Sequence, residues 1–138
     1  MPSEDAGDRY AYLDASAIVK LVIAEPETAA LEADAARRAG LLTSRLGLTE
    51  VRRAARRVGS RRLVQQVEDV LEALVVLEMT TSMFDRAANL VPTALRTLDA
   101  LHVAAALELD LPSTDFITYD ARLAETARRH GLSVVVPR

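Results

Sequence analysis

Cysteine and tryptophan are absent from this chain of 138 residues, aromatic residues make up 4%, and glycine and proline number five each. Without cysteine there are no disulfides and no thiolate metal sites. The two histidines, His102 and His130, lie too far apart for a local zinc motif, so any metal must be held mainly by oxygen. Lysine is nearly missing too: Lys20 is the single exception among 17 basic residues. With abundant alanine, that skew fits genomic base composition as well as function, although the planar arginine fork suits phosphate and carboxylate better than an ammonium does. No apolar run approaches the ~20 residues that span a bilayer, because charges such as Asp99 and Glu108 interrupt them. The first residues, MPSEDAGD, are polar and acidic, unlike a signal peptide. A soluble cytoplasmic protein with no membrane association is expected. Repeats, linkers and low-complexity tracts are also lacking, which predicts one domain over 1–138, with 1–9 as a flexible N-terminal segment. The net charge of -3 argues against a generic nucleic-acid coating protein.

What is present alternates between strand and helix patterns. Tyr10 to Leu13 reads as a buried strand, followed by a helix over Ala17 to Val22 with Ser16 as its N-cap. Pro26 opens a second helix through Arg38, which Gly40 ends, and Leu41 to Ser44 forms the next strand. Arg45 to Val58 carries a helical apolar stripe. Gly59 and Ser60 break it, and Leu63 to Leu74 repeats the pattern, predicting a helical hairpin. Val75 to Met79 is a third strand, and Thr81 or Ser82 caps a helix that Pro92 closes. Thr97 caps a helix over Leu98 to Leu109, Phe116 to Tyr119 is a fourth strand, Ala121 to His130 is helical, and Leu132 to Val136 is a fifth strand. Such alternation, without tight hairpins between strands, predicts an α/β fold with a five-stranded parallel sheet covered by helices on both faces.

Four acids share one property in that scheme. Asp14 and Asp120 end strands, whereas Glu50 and Asp99 lie in early turns of helices, so each can reach the carboxyl rim of the sheet, where open α/β folds bind ligands. Taken alone, Asp14 reads equally as a helix cap. Together, converging carboxylates repel by roughly 3 kcal/mol per pair at ~5 Å and an effective dielectric of 20, an arrangement that calls for a cation. Oxygen ligands favour Mg²⁺, with Mn²⁺ as the alternative. Asp115 starts the strand that Asp120 follows, and ~16 Å of strand excludes it from the site. Ser16 and Thr118 stand two residues from Asp14 and Asp120 and can orient a carboxylate, or simply cap a helix and favour a strand. His102, one helical turn beyond Asp99, either supports the site from behind or packs in the core. Lys20 reads as a solvated head on an apolar stem. The cluster Arg52, Arg53, Arg56, Arg57, Arg61 and Arg62 is a phosphate- or partner-binding patch or a solvated helix face.

The segments YLDASAIVKL, SRLGLTEVRRA, LRTLDALHVAAAL and FITYDARLAETARRHGL, in this order and at these intervals, resemble the acidic motifs of PIN-domain nucleases, and most closely those of VapC toxins of bacterial VapBC modules. The resemblance extends from about Tyr10 to Pro137. It implies a PIN-like fold, a Mg²⁺-dependent endoribonuclease, homodimerisation and inhibition by a VapB-type antitoxin. By position it implies Asp14, Asp99 and Asp120 as metal ligands, with Glu50 acting through water, and transfer or ribosomal RNA as substrate. It also favours RNA or antitoxin as the partner of the arginine cluster. Tyr119 stands where the family commonly has a small residue, altering the pocket rim. A haloacid-dehalogenase-like phosphatase requires an aspartate where Ser16 stands, which excludes it. The remaining alternative is a PIN-like module that binds RNA or protein without cutting.

Overall fold

Alternation along the first strand sets both faces of the sheet. In β1 (Tyr10–Leu13), Ala11 and Leu13 join one apolar cluster and Tyr12 the other, all three fully buried. The computed structural model describes residues 9–109 and 113–138. Among these, β2 (Gly40–Ser44), β3 (Val75–Leu77), β4 (Thr114–Ile117) and β5 (Ser133–Val135) complete a parallel sheet in the order β3-β2-β1-β4-β5. Helices α1 (Ala15–Val22), α2 (Thr28–Ala36), α3 (Arg45–Val58) and α4 (Arg61–Glu72) contribute to the cluster of Leu13, Ile18, Leu31, Val51, Val67 and Ile117. On the opposite face, α5 (Thr81–Ala88), α6 (Thr97–Leu107) and α7 (Ala121–Arg129) pack Met83, Val103, Leu123 and Ala127 around Tyr12 and Phe116. The last two rings are stacked, 5.4 Å apart. The expected α/β fold with a five-stranded parallel sheet between helices is the one observed. No helix among the described residues is long and apolar enough to cross a membrane.

The order of strands locates a crevice. From β1 the chain runs outward through β2 to β3, then returns to place β4 on the other side of β1. The β1/β4 junction is therefore the switch point at whose carboxyl end α/β proteins bind ligands. Asp14 leaves β1 there, and Thr118 to Asp120 leave β4 beside it.

Several element boundaries differ from expectation. Asp14, not Ser16, caps α1, because its extended backbone lets the carboxylate accept the Ala17 N–H at 3.0 Å. Thr80, rather than Thr81 or Ser82, caps α5 by accepting from Met83 N at 3.2 Å. Thr97 is already helical, and Arg96 precedes it without a side-chain cap. Helix α2 starts at Thr28 rather than Pro26, since Thr28 Oγ1 donates to the Lys20 carbonyl and accepts from Glu25 N, using the preceding residues as a turn. Strand β4 ends at Ile117 rather than Tyr119, in register with Leu13, which frees Thr118 and Tyr119 for the crevice. Gly59 ends α3 as expected, with φ of 81°, a conformation other residues adopt at a cost. The expected flexible segment over 1–9 lies outside the described residues, apart from Arg9.

Candidate active site

The loop between β1 and α1 buries Asp14 to 4% exposure and satisfies it completely. Oδ1 accepts from Ser16 Oγ at 2.7 Å as well as from Ala17 N, and Oδ2 accepts from Thr118 Oγ1 at 2.6 Å. Ser16 Oγ also accepts the Tyr119 N–H at 2.9 Å, and Thr118 Oγ1 accepts the Asp120 N–H at 3.1 Å. Two hydroxyls thus tie the end of β1 to the end of β4. Burial raises the Asp14 carboxyl above the ordinary aspartate range, although the Thr118, Ser16 and Ala17 bonds and the attraction of His102 oppose the rise.

Asp120 is exposed and caps α7, with Oδ1 accepting from Arg122 N at 2.9 Å and Leu123 N at 3.2 Å. Asp99 lies in the first turn of α6, where the helix dipole favours negative charge, and makes no hydrogen bond among the described residues. Its carboxyl is nonetheless pushed up, by burial first and then by repulsion from Asp120, with Asp14 and Glu50 adding to the effect and His102 opposing it. The four predicted acids therefore share one electrostatic field. Glu50 projects from α3 and accepts from His102 Nε2 at 2.5 Å. Asp115, excluded from this group on sequence, lies at the opposite end of β4 among Arg9, Arg38 and Ser133.

A family comparison decides what kind of fold carries these acids. The PIN-domain family model matches residues 11–133. Ribonuclease VapC47 of Mycobacterium tuberculosis is 35% identical over 130 residues, covering 91% of this chain and 96% of the relative. Ribonuclease VapC46 of the same species is 38% identical over 133 residues with the same coverage. The chain belongs to the VapC group of PIN-domain proteins. Its fold is also that of VapBC2 from Rickettsia felis, solved bound to a DNA fragment from their promoter, with a TM-score of 0.75 over 94% of this chain and 99% of that one, at 13% identity.

In this PIN domain the residues can be tested directly against a divalent cation. No three Asp, Glu or His side chains among the described residues stand in coordinating positions about one point. Asp14 has both oxygens engaged, Glu50 is bonded to His102, and Asp120 uses Oδ1 to cap α7. Charge and donor chemistry do fit, since Asp120, Asp14 and Glu50 all repel the Asp99 carboxylate.

The arginine cluster divides. Arg52 is bonded through two nitrogens to Glu68 of α4, at 2.8 and 2.9 Å, so it braces the α3–α4 hairpin. Arg53, Arg56, Arg57, Arg61 and Arg62 are exposed, and Arg57 borders a cleft shared with Ser16, Lys20, Glu50 and Tyr119. Lys20 is not the solvated head expected. Its ammonium donates to Glu25 and Glu27, at 2.6 and 3.0 Å, and lies 4.8 Å from the Tyr119 ring centre. Tyr119 lines the cleft as expected from its position, with its hydroxyl donating to the Pro137 carbonyl at 2.8 Å. Sequence reading missed Tyr12 and Ser44, which stand behind His102. Tyr12, placed within the short apolar strand YAYL, was the available signal, since a buried hydroxyl needs a partner.

Proposed function

We propose that this PIN domain is a Mg²⁺-dependent endoribonuclease, with Mn²⁺ as a substitute ion, and the toxin of a toxin-antitoxin pair. What supports the reading is that Asp14 and Asp120 follow β1 and β4 at the switch point while Glu50 and Asp99 lie in the early turns of α3 and α6, with repulsion from Asp120, Asp14 and Glu50 acting on Asp99. Asp14, Asp99 and Asp120 would hold the ion, with Glu50 acting through water. Among the described residues the Asp99 carboxylate makes no hydrogen bond and Asp120 leaves Oδ2 unused. When bound, the ion supplies Lewis-acid chemistry, activating water and offsetting charge on phosphoryl oxygens.

The chain's own residues supply the rest. Ser16 and Thr118 fix Asp14 from both sides, and a carboxylate of the cluster accepts the proton of the attacking water. Arg57, beside Glu50 in the shared cleft, is placed to meet phosphate, and the exposed arginines of α3 and α4 extend that charge. The substrate class is transfer or ribosomal RNA. A VapB-type antitoxin is the partner that silences the enzyme, and the protein acts as a homodimer in the cytoplasm. Relatives bearing the name ribonuclease support the activity, and a solved VapBC2 assembly of the same fold supports the partnership.

The test is cleavage of bacterial total RNA by purified protein, followed by sequencing of the new RNA ends. Discrete cuts are expected with Mg²⁺, none with EDTA, and none with the Asp99→Asn variant. Binding of RNA without cuts under all three conditions would replace the enzyme with a non-cleaving module.

A further inference from the structure

Glu50 has one hydrogen-bond partner among the described residues, and that partner is buried. The His102 side chain is 2% exposed, whereas that of Glu50 is 28% exposed. A carboxylate only accepts, so the Nε2–H of His102 donates across the 2.5 Å contact. The other ring nitrogen, Nδ1, meets the Tyr12 hydroxyl at 2.7 Å, and that hydroxyl lies 3.0 Å from Ser44 Oγ. Ser44 in turn caps α3, its Oγ accepting from Gly47 N at 3.3 Å. The chain of contacts therefore starts and ends on α3, passing through β1 and α6.

This arrangement differs from a histidine merely satisfied in a core. Tyr12 and Ser44 would suffice for a packing role, yet the outward nitrogen is committed to an acid at the rim. The ring is also fixed in direction. It meets Tyr12 edge-on with planes at 73°, and Gly47 lies against it on α3. A Cβ added at Gly47 would stand 2.3 Å from Thr43 Oγ1 and 3.4 Å from His102 Cε1, so glycine permits this close passage of α3.

We infer that His102 is a positioning residue that fixes the direction of the Glu50 carboxylate on α3, with Tyr12 and Ser44 fixing the imidazole from behind. Its catalytic consequence rests on the ribonuclease reading above. Its structural consequence does not. Without the Nε2–H donor, Glu50 becomes a mobile side chain on an exposed helix face, and the cluster loses a defined member. Outer groups that orient ligand carboxylates change metal affinity or activity by 10- to 100-fold when removed.

The experiment compares the parent with His102→Leu, which fills the space without a donor, and His102→Gln, which restores an amide donor. Tyr12→Phe removes the group behind the ring and serves if His102→Leu does not fold. The first readout is the ¹³C resonance of the Glu50 carboxyl, assigned by its loss in Glu50→Gln and measured without metal. It should move toward the value of a free glutamate in His102→Leu, return most of the way in His102→Gln, and shift in the same sense in Tyr12→Phe. The second readout is affinity for Mn²⁺ alone, expected to fall 10- to 100-fold in His102→Leu and to recover in His102→Gln. The third is cleavage of total RNA, in which kcat should fall while KM stays within a factor of about three. An unmoved Glu50 resonance in both His102→Leu and Tyr12→Phe would overturn the inference. A parent that neither binds Mn²⁺ nor cuts RNA, but whose Glu50 resonance still responds to His102, would overturn the ribonuclease reading and leave the positioning role standing.

Discussion

Asp115 within β4 and Asp14 just after β1 are both buried aspartates, yet their surroundings drive them in opposite directions. Burial alone would raise both, but at Asp115 the bonds from Arg9, Ser133 and Arg38 outweigh it and hold the carboxyl well below the usual range. A depressed acid contributes stability that is fully present above its unfolded pKa of ~3.9 and is lost as pH falls toward the folded value. Removing that charge weakens the hold on Arg9 and on the almost wholly buried Arg38, which keeps its bonds to Asp34, and Asp115→Asn should cost about 2 kcal/mol at pH 7. Urea melts should show the gap between parent and variant narrowing at pH 3. A gap of equal size at both values would mean that packing, not ion pairing, sets the cost. The four acids of the proposed site were legible in the sequence because Asp14 and Asp120 follow strands and Glu50 and Asp99 lie in the early turns of helices, positions that periodicity locates. The role of His102 was not, since a bond across 52 residues between α3 and α6 leaves no periodic trace. Asp14 shows the other ambiguity: one carboxylate both caps α1 and belongs to the acidic cluster, so the capping and site readings were never exclusive.

At the scale of elements, long amphipathic segments were readable and their ends were not. Helices α3 and α4 fall where the apolar stripe predicts, because Val51, Ala55, Val67 and Leu71 must all meet the same core. The start of α1 and the end of β4 shifted by two residues, since capping and register depend on partners distant in sequence, such as the pairing of Leu13 with Ile117. The α3–α4 hairpin also gives the arginines of one cluster different surroundings, pairing Arg52 with Glu68 and leaving Arg57 and Arg61 exposed. Arg52→Gln removes the Glu68 pair, whose side chains are about 40% exposed, and should cost no more than ~1 kcal/mol in thermal or urea melts. Replacing Arg57 and Arg61 with Gln should leave folding nearly unchanged, because neither makes an ion pair among the described residues. If these arginines meet RNA phosphates, the double variant should bind RNA more weakly and show a salt slope shallower by up to ~2, measured by filter binding across KCl concentrations. An unchanged slope with weakened antitoxin binding would assign the patch to the protein partner.

For the whole molecule, the proposed metal site implies a balance between folding and ion binding. Asp99 is raised by burial and by Asp120, so its ionised form opposes folding, and lowering the pH through the interval between its unfolded and folded pKa should relieve part of that opposition. Asp120→Asn removes a charge while keeping an oxygen that can accept from Arg122 N and Leu123 N, and Asn caps helices about as well as Asp. In EDTA the variant should therefore be as stable as the parent or more stable. Asp120→Ala provides the control, because it removes the same charge but also the cap, at a cost of about 1 kcal/mol. Mg²⁺ should reverse the order by binding the folded parent preferentially. The gain is RT ln(1 + [Mg²⁺]/Kd), or ~2.7 kcal/mol at a hundredfold excess over Kd, and Asp120→Asn should gain much less. Thermal melts of the three proteins, each in EDTA and in excess Mg²⁺, separate the contributions. If Asp120 were instead a structural acid, Asp120→Asn would melt lower than the parent in EDTA and Mg²⁺ would leave the parent unchanged. That result would remove Asp120 from the proposed metal set, because a carboxylate whose loss harms the metal-free fold cannot be a source of repulsion within it.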